Sequence, residues 1–151
     1  MIFLQTALKI YPLREEIFDM IFMLDTNIII YAKNNNPEGV LRRLMHYKRG
    51  DVCISVITMA ELEYGAYKSS KPDKNRLALM TFLSGIQVMP FTPEAAREYG
   101  LIRSSLEKQG TVIGGNDMLI AAHAKSLDLI LVTNNQREFE RIHGLKVGNW
   151  V

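Results

Sequence analysis

Short apolar runs alternate with longer stretches of helical periodicity along this chain. Ile21-Phe22-Met23-Leu24, Val52-Cys53-Ile54-Ser55-Val56 and Leu129-Ile130-Leu131-Val132 carry almost no polar positions, the pattern of strands buried on both faces. Ile86-Gln87-Val88-Met89 and the region of Leu145-Lys146-Val147 read as two further strands. Between the first two strands, Asn36 suits a helix cap and Pro37 the first helical position, ahead of a stripe of Val40, Leu41, Leu44, Met45 and Tyr47. A helical segment around residues 58–64 continues past Gly65 until Lys71-Pro72-Asp73 breaks it, and Leu77, Leu79, Met80, Phe82 and Leu83 mark another. Thr92-Pro93-Glu94 starts a helix that runs to Lys108 and stops at Gly110. Asn116-Asp117 opens the next, after a loop rich in glycine, and a short helix over residues 136–142 precedes the last strand. Strands alternating with helices predict an α/β fold, a central parallel sheet flanked by helices on both faces.

Residues 1–19 break this pattern. Lys9, Pro12 and Arg14-Glu15-Glu16 interrupt their apolar start. They have neither the basic leader nor the small-residue cleavage site of a secretory signal, and they are too short and broken to span a membrane. The reading is an N-terminal extension upstream of a true start at Met20, with one domain over residues 20–151. A purine-rich ribosome-binding sequence could encode Arg14-Glu15-Glu16 just before that start.

Bulk composition narrows the classes. The chain has 151 residues, 48% of them hydrophobic and 23% charged, and a net charge of +2. That size buries about 70% of the unfolded surface in one core-bearing domain, and so small a charge advertises no strong field for nucleic acid. Two basic groups, Arg42, Arg43, Lys48 and Arg49 and then Arg137 and Arg141, read first as solvated helix faces. Cys53 is the only cysteine, so intrachain disulfides and multi-thiolate zinc sites are excluded. It reads as a small buried hydrophobe, compatible with a reducing cytosol and a cytoplasmic location.

Three acids share a placement within this pattern. Asp25 directly follows the first strand, Glu61 lies early in the helix after the second, and Asp117 opens the helix before the third. Ligands gather outside the carboxyl ends of parallel strands, where these positions can converge. Each has a plainer reading when taken singly. Asp25 caps the next helix, Glu61 completes a capping box with Thr58, and Asp117 answers a helix dipole. Taken together they form a cleft of repelling carboxylates that needs a cation. Oxygen ligands of this kind suit magnesium or manganese and point to metal-assisted hydrolysis of a phosphate ester.

From Met20 to Trp150 the chain resembles a PIN domain, and most closely the VapC ribonuclease toxins of prokaryotic toxin–antitoxin pairs. The matching pieces are Met23-Leu24-Asp25-Thr26-Asn27, Ser55-Val56-Ile57-Thr58-Met59-Ala60-Glu61-Leu62 with Tyr64-Gly65-Ala66, Asn116-Asp117 with Leu119-Ile120-Ala121-Ala122-His123-Ala124, and Val132-Thr133-Asn134-Asn135 with Glu138-Phe139. Each motif alone is weak; four in register are specific. The resemblance implies that Asp25 and Asp117 are the main ligands of a catalytic magnesium. Glu61 would complete the acidic core, orienting water or holding a second ion. Thr26, Asn27 and Thr133 would orient carboxylates through hydrogen bonds. The family often has a fourth acid where this chain has Asn135, and the neutral amide there counts against tight binding of a second metal. Glu138 is near enough in sequence to stand in, but a surface role on the short helix is the plainer reading. The implied activity is an endoribonuclease that leaves a 5′-phosphate and a 3′-hydroxyl, with tRNA as the preferred substrate.

Substrate contacts are read onto Arg103, Lys108 and Gln109, which precede the glycine loop before Asp117, although an exposed helix face explains them equally well. His123 reads as packed or hydrogen-bonded rather than catalytic, and His46 and His143 as surface. A small VapB-like antitoxin is the implied partner, in a hetero-oligomer built on a homodimer. Ile28, Tyr31, Leu41 and Leu44 are the candidates for its groove.

The rivals fail on residues. A dehalogenase-like phosphatase needs a second Asp where Asn27 stands, and a receiver domain needs a set of acids and a late Lys that the chain lacks. A dinucleotide site needs a glycine-rich loop after the first strand. An RNA-processing PIN nuclease, or a PIN domain that only binds, remains as the alternative.

Overall fold

The computed structural model describes residues 20–151. The expected extension over residues 1–19 lies outside the described residues. Five strands, β1 (Phe22–Leu24), β2 (Val52–Ser55), β3 (Gln87–Met89), β4 (Ile130–Val132) and β5 (Lys146–Gly148), form one parallel sheet in the order β3-β2-β1-β4-β5. The helices are α1 (Thr26–Asn34), α2 (Val40–His46), α3 (Val56–Tyr67), α4 (Pro72–Leu83), α5 (Pro93–Gln109), α6 (Gly115–Ser126) and the short α7 (Gln136–Phe139).

Strand side chains alternate between faces, so each strand contributes to two cores. Met23, Cys53 and Leu131 point to one face and pack with Ile102 and Leu106 of α5 and Met118 and Ile120 of α6. Leu24, Ile54 and Val132 point to the other and meet Ile28 and Ile29 of α1, Leu62 of α3 and Leu79 of α4. The expected parallel sheet covered on both faces is therefore found. Cys53 is buried as expected, and burial pushes its thiol up to about 12.

Local signals set most boundaries. Pro93 opens α5 behind a Thr92 cap, whose hydroxyl accepts from Ala95 N, and Gly110 closes it at φ +67°. Three expectations are corrected. α2 starts at Val40 rather than Pro37, because residues 36–39 turn and Gly39 takes φ +102°, which no preceding helical turn can share. The cap of α3 is Ser55, not Thr58: the Ser55 hydroxyl accepts from Ile57 N at 3.1 Å, and Thr58 is buried inside the helix. The last helix also stops at Phe139, short of the expected 142, where the chain turns.

Candidate active site

The connections fix where a site can form. From β1 the chain moves through β2 to β3 in one direction, then crosses back to place β4 on the other side of β1. The strand order reverses between β1 and β4, and a crevice opens at such a reversal, beyond the carboxyl ends of the strands. Asp25 follows β1 and Thr133 follows β4 at that point. The Thr133 hydroxyl donates to Asp25 Oδ2 at 2.8 Å, and Asp25 N donates to the Val132 carbonyl at 2.9 Å.

Period-two alternation explains the grouping. Met23 is in register with Cys53 on one side and Leu131 on the other. Two residues further on, Asp25, Ser55 and Thr133 form the next row on that face. All three are buried, and each side chain is hydrogen-bonded. Asp25 is also the cap of α1, accepting from Thr26 N at 2.8 Å through Oδ1. The cap therefore uses one oxygen of Asp25 and the Thr133 bond the other. Burial raises the Asp25 carboxyl above its ordinary range, the two hydrogen bonds oppose this, and the Glu61 charge adds to it.

Glu61 lies in the middle of α3 and is tied to the β1 end by Thr26, whose hydroxyl donates to Glu61 Oε1 at 2.6 Å. The corrected cap at Ser55 frees Glu61 from any capping box. Asp117 is in the first turn of α6, half-buried. Burial pushes its carboxyl up to about 6, with further contributions from the charges of Asp25, Glu61 and Glu138. All three expected acids are thus brought within electrostatic reach of one another, and Glu138 joins them as a fourth. Its spacing on α7 was the only sequence signal for it, set against a plainer surface role. Among the described residues, none of these four carboxylates has a salt-bridge partner.

Other candidates lie further out. Asn27 is exposed, with no side-chain hydrogen bond to the carboxylates among the described residues. Asn135 donates its backbone N–H to the Thr133 hydroxyl at 3.0 Å, and so steadies the group that holds Asp25. Arg103 is exposed on α5, where it pairs with Glu107 at 2.8 Å and with the Tyr99 hydroxyl. Gln109 reaches Ser105, and Lys108 is exposed. His46 and His143 are on the surface, as expected. Ile28 is wholly buried and cannot line a partner's groove, whereas Tyr31, Leu41 and Leu44 are half-buried. A groove of about 370 Å³ does run beside Glu61, lined by Ile30, Lys33, Leu62, Ala66, Asn75 and Leu79 among others.

The donor set can be tested against a divalent cation. Among the described residues no three His, Cys, Asp or Glu side chains close into a ready-made cage. Magnesium does not require one, since it keeps several waters and binds through one or two carboxylates. A partly buried, uncompensated group of acids with two of its members' carboxyls held up by burial and mutual repulsion is chemistry that such an ion would relieve.

The family model for the PIN domain matches residues 22–145. Ribonuclease VapC2 of Haemophilus influenzae is 48% identical over 130 residues, covering 86% of this chain and 98% of that protein. A tRNA(fMet)-specific endonuclease VapC of Shigella flexneri is 46% identical over 129 residues, covering 85% and 97%. The crystal structure of VapBC2 from Rickettsia felis bound to a DNA fragment from its promoter superposes with a TM-score of 0.82 at 42% identity, covering 87% of this chain and all of that one. The chain belongs to the PIN-domain family, and within it to the VapC type.

Proposed function

We propose that this protein is the toxin of a VapBC-type toxin–antitoxin pair, a magnesium-dependent endoribonuclease formed by a PIN domain over residues 20–151. The observation that carries this reading is the convergence of Asp25, Glu61 and Asp117 from three separate elements onto the switch point of the sheet. Asp25 and Asp117 would hold the magnesium, and manganese would fit the same oxygens. A cation there would supply water activation and charge compensation at the phosphoryl oxygens.

The chain's own groups do the rest. Thr133 and the Thr26 N–H fix Asp25 in one orientation, and the Thr26 hydroxyl fixes Glu61. Glu61 Oε2 takes the proton of the attacking water as the new bond to phosphorus forms, and the bond to the 3′-oxygen breaks as that oxygen takes up a proton from solvent water. The products are a 5′-phosphate and a 3′-hydroxyl. No histidine takes part, because His123 is committed elsewhere in the core.

The substrate is tRNA, an inference supported by the names of relatives such as the tRNA(fMet)-specific endonuclease. Arg103, Lys108 and Gln109 are exposed positions of α5, and contact with the RNA backbone is assigned to them. A small antitoxin seats a segment in the groove beside Glu61, within a hetero-oligomer built on a toxin homodimer in the cytoplasm. Among the described residues no helix is long and apolar enough to cross a membrane. Purified protein with total tRNA tests the function: discrete fragments with 5′-phosphate ends are expected with magnesium and none with EDTA. Intact RNA of every class in the presence of magnesium would refute it.

A further inference from the structure

His123 is nearly fully buried in α6, and its Nδ1 lies 2.7 Å from Ser55 Oγ. Phe91 packs edge-on against the ring at 5.3 Å. Burial pushes the imidazole down to about 4, so it is neutral at physiological pH. The Pro90 backbone lies near the ring, and Nε2 makes no hydrogen bond. A proton on Nε2 leaves Nδ1 as the acceptor, and Ser55 Oγ–H as its donor. The Ser55 hydroxyl then works both ways, since it also accepts from Ile57 N to cap α3.

An apolar side chain would spare the unpaired Nε2 but strand the buried Ser55 hydroxyl, so stability is only a partial account of the imidazole. Its place in the fold supplies a better one. Glu61 is six residues beyond Ser55 on α3, and Asp117 is six residues before His123 on α6. Each carboxylate therefore sits about 9 Å of helix axis from the same hydrogen bond. The two helices lie against each other but belong to opposite faces of the sheet.

Resting on the nuclease reading above, we propose that His123 is a positioning residue, whose hydrogen bond to Ser55 locks the helix bearing Asp117 to the cap of the helix bearing Glu61. A lost lock lets one helix slide or turn against the other, and misplacement on the ångström scale costs catalysis far more than binding.

Three variants and one spectrum test this. His123→Leu removes the bond, His123→Asn keeps an amide at the Nδ1 position, and Ser55→Ala removes the partner. His123→Leu is expected to lower kcat about tenfold or more with KM for tRNA within about twofold, and His123→Asn to recover most of the loss. In a Glu61→Gln background His123→Leu should add little, because the two act as a unit. Imidazole ¹⁵N shifts should show a neutral Nε2–H ring at pH 7 in wild type, altered in Ser55→Ala, and this readout needs no activity. Wild-type kcat in His123→Leu, equal loss in both His123 variants, or an Nδ1–H ring would overturn the proposal. If His123→Leu fails to fold, Ser55→Ala against His123→Asn decides in the same terms. An inert wild-type protein refutes the nuclease reading instead.

Discussion

The Thr133 hydroxyl donates to Asp25 Oδ2 at 2.8 Å, joining two strand ends that are 108 positions apart in the sequence. Both groups are buried, so this bond orients a carboxylate that bulk water hardly reaches. Thr133→Val preserves shape and removes the donor. It is expected to cost about 1–3 kcal/mol of stability, because Asp25 and the Asn135 N–H both lose a partner. Cleavage should fall at least about tenfold. Denaturant melts and initial rates on tRNA check the two effects separately.

Asp117 makes the metal-free protein sensitive to pH in a defined direction. Its carboxyl is at about 6 in the folded state, above its ordinary value. Between about 4 and 6 the folded protein binds more protons at this group than the unfolded chain, so its contribution to stability is present below that window and lost as pH rises through it. His123 acts oppositely, because its lowered value costs stability as pH falls below its ordinary value towards about 4. Comparing wild type with Asp117→Asn cancels the histidine. The variant should be the more stable above pH 6, by about 1 kcal/mol once solvent screening of a half-buried group is allowed for. Equal melts of the two proteins across pH 4–8 would contradict this.

Gly114 leaves room for that same carboxylate. A Cβ added there would stand 3.3 Å from Asp117 Oδ2. The backbone of Gly114 has ordinary negative φ, so Gly114→Ala should fold normally and displace only the side chain. The expected result is a magnesium requirement raised several-fold, with Tm nearly unchanged, measured by titrating the metal in the cleavage assay.

The charge of Glu138 is felt at Asp117 from α7. Glu138→Gln is expected to weaken magnesium binding by about threefold to tenfold while kcat at saturating metal stays within about twofold. Calorimetric titration with magnesium reads the first and steady-state rates the second.

Much of this was legible before any coordinates. Apolar runs at Phe22–Leu24, Val52–Ser55 and Ile130–Val132 carry their identity in composition, because a strand buried on both faces has few polar positions. Asp25, Glu61 and Asp117 could be grouped because each sits at a strand end or near a helix start. What escaped depended on choices between equivalent signals. Ser55 and Thr58 both suit a helix cap, and only the register of β2 decides for Ser55. Asn36-Pro37 reads as a helix start until Gly39 is seen to turn the chain. The His123–Ser55 contact spans 68 positions and two elements, and no local pattern announces it. Asn27 shows the reverse: a motif position whose side chain faces solvent.

The central claim is that Asp25 and Asp117 make one catalytic metal site. Purified wild type, Asp25→Asn and Asp117→Asn compared on total tRNA with magnesium test it most directly. Both variants should remain folded by circular dichroism and lose at least about a hundredfold in cleavage, along with calorimetric binding of magnesium. A folded Asp25→Asn or Asp117→Asn protein that cuts tRNA at the wild-type rate would contradict the account.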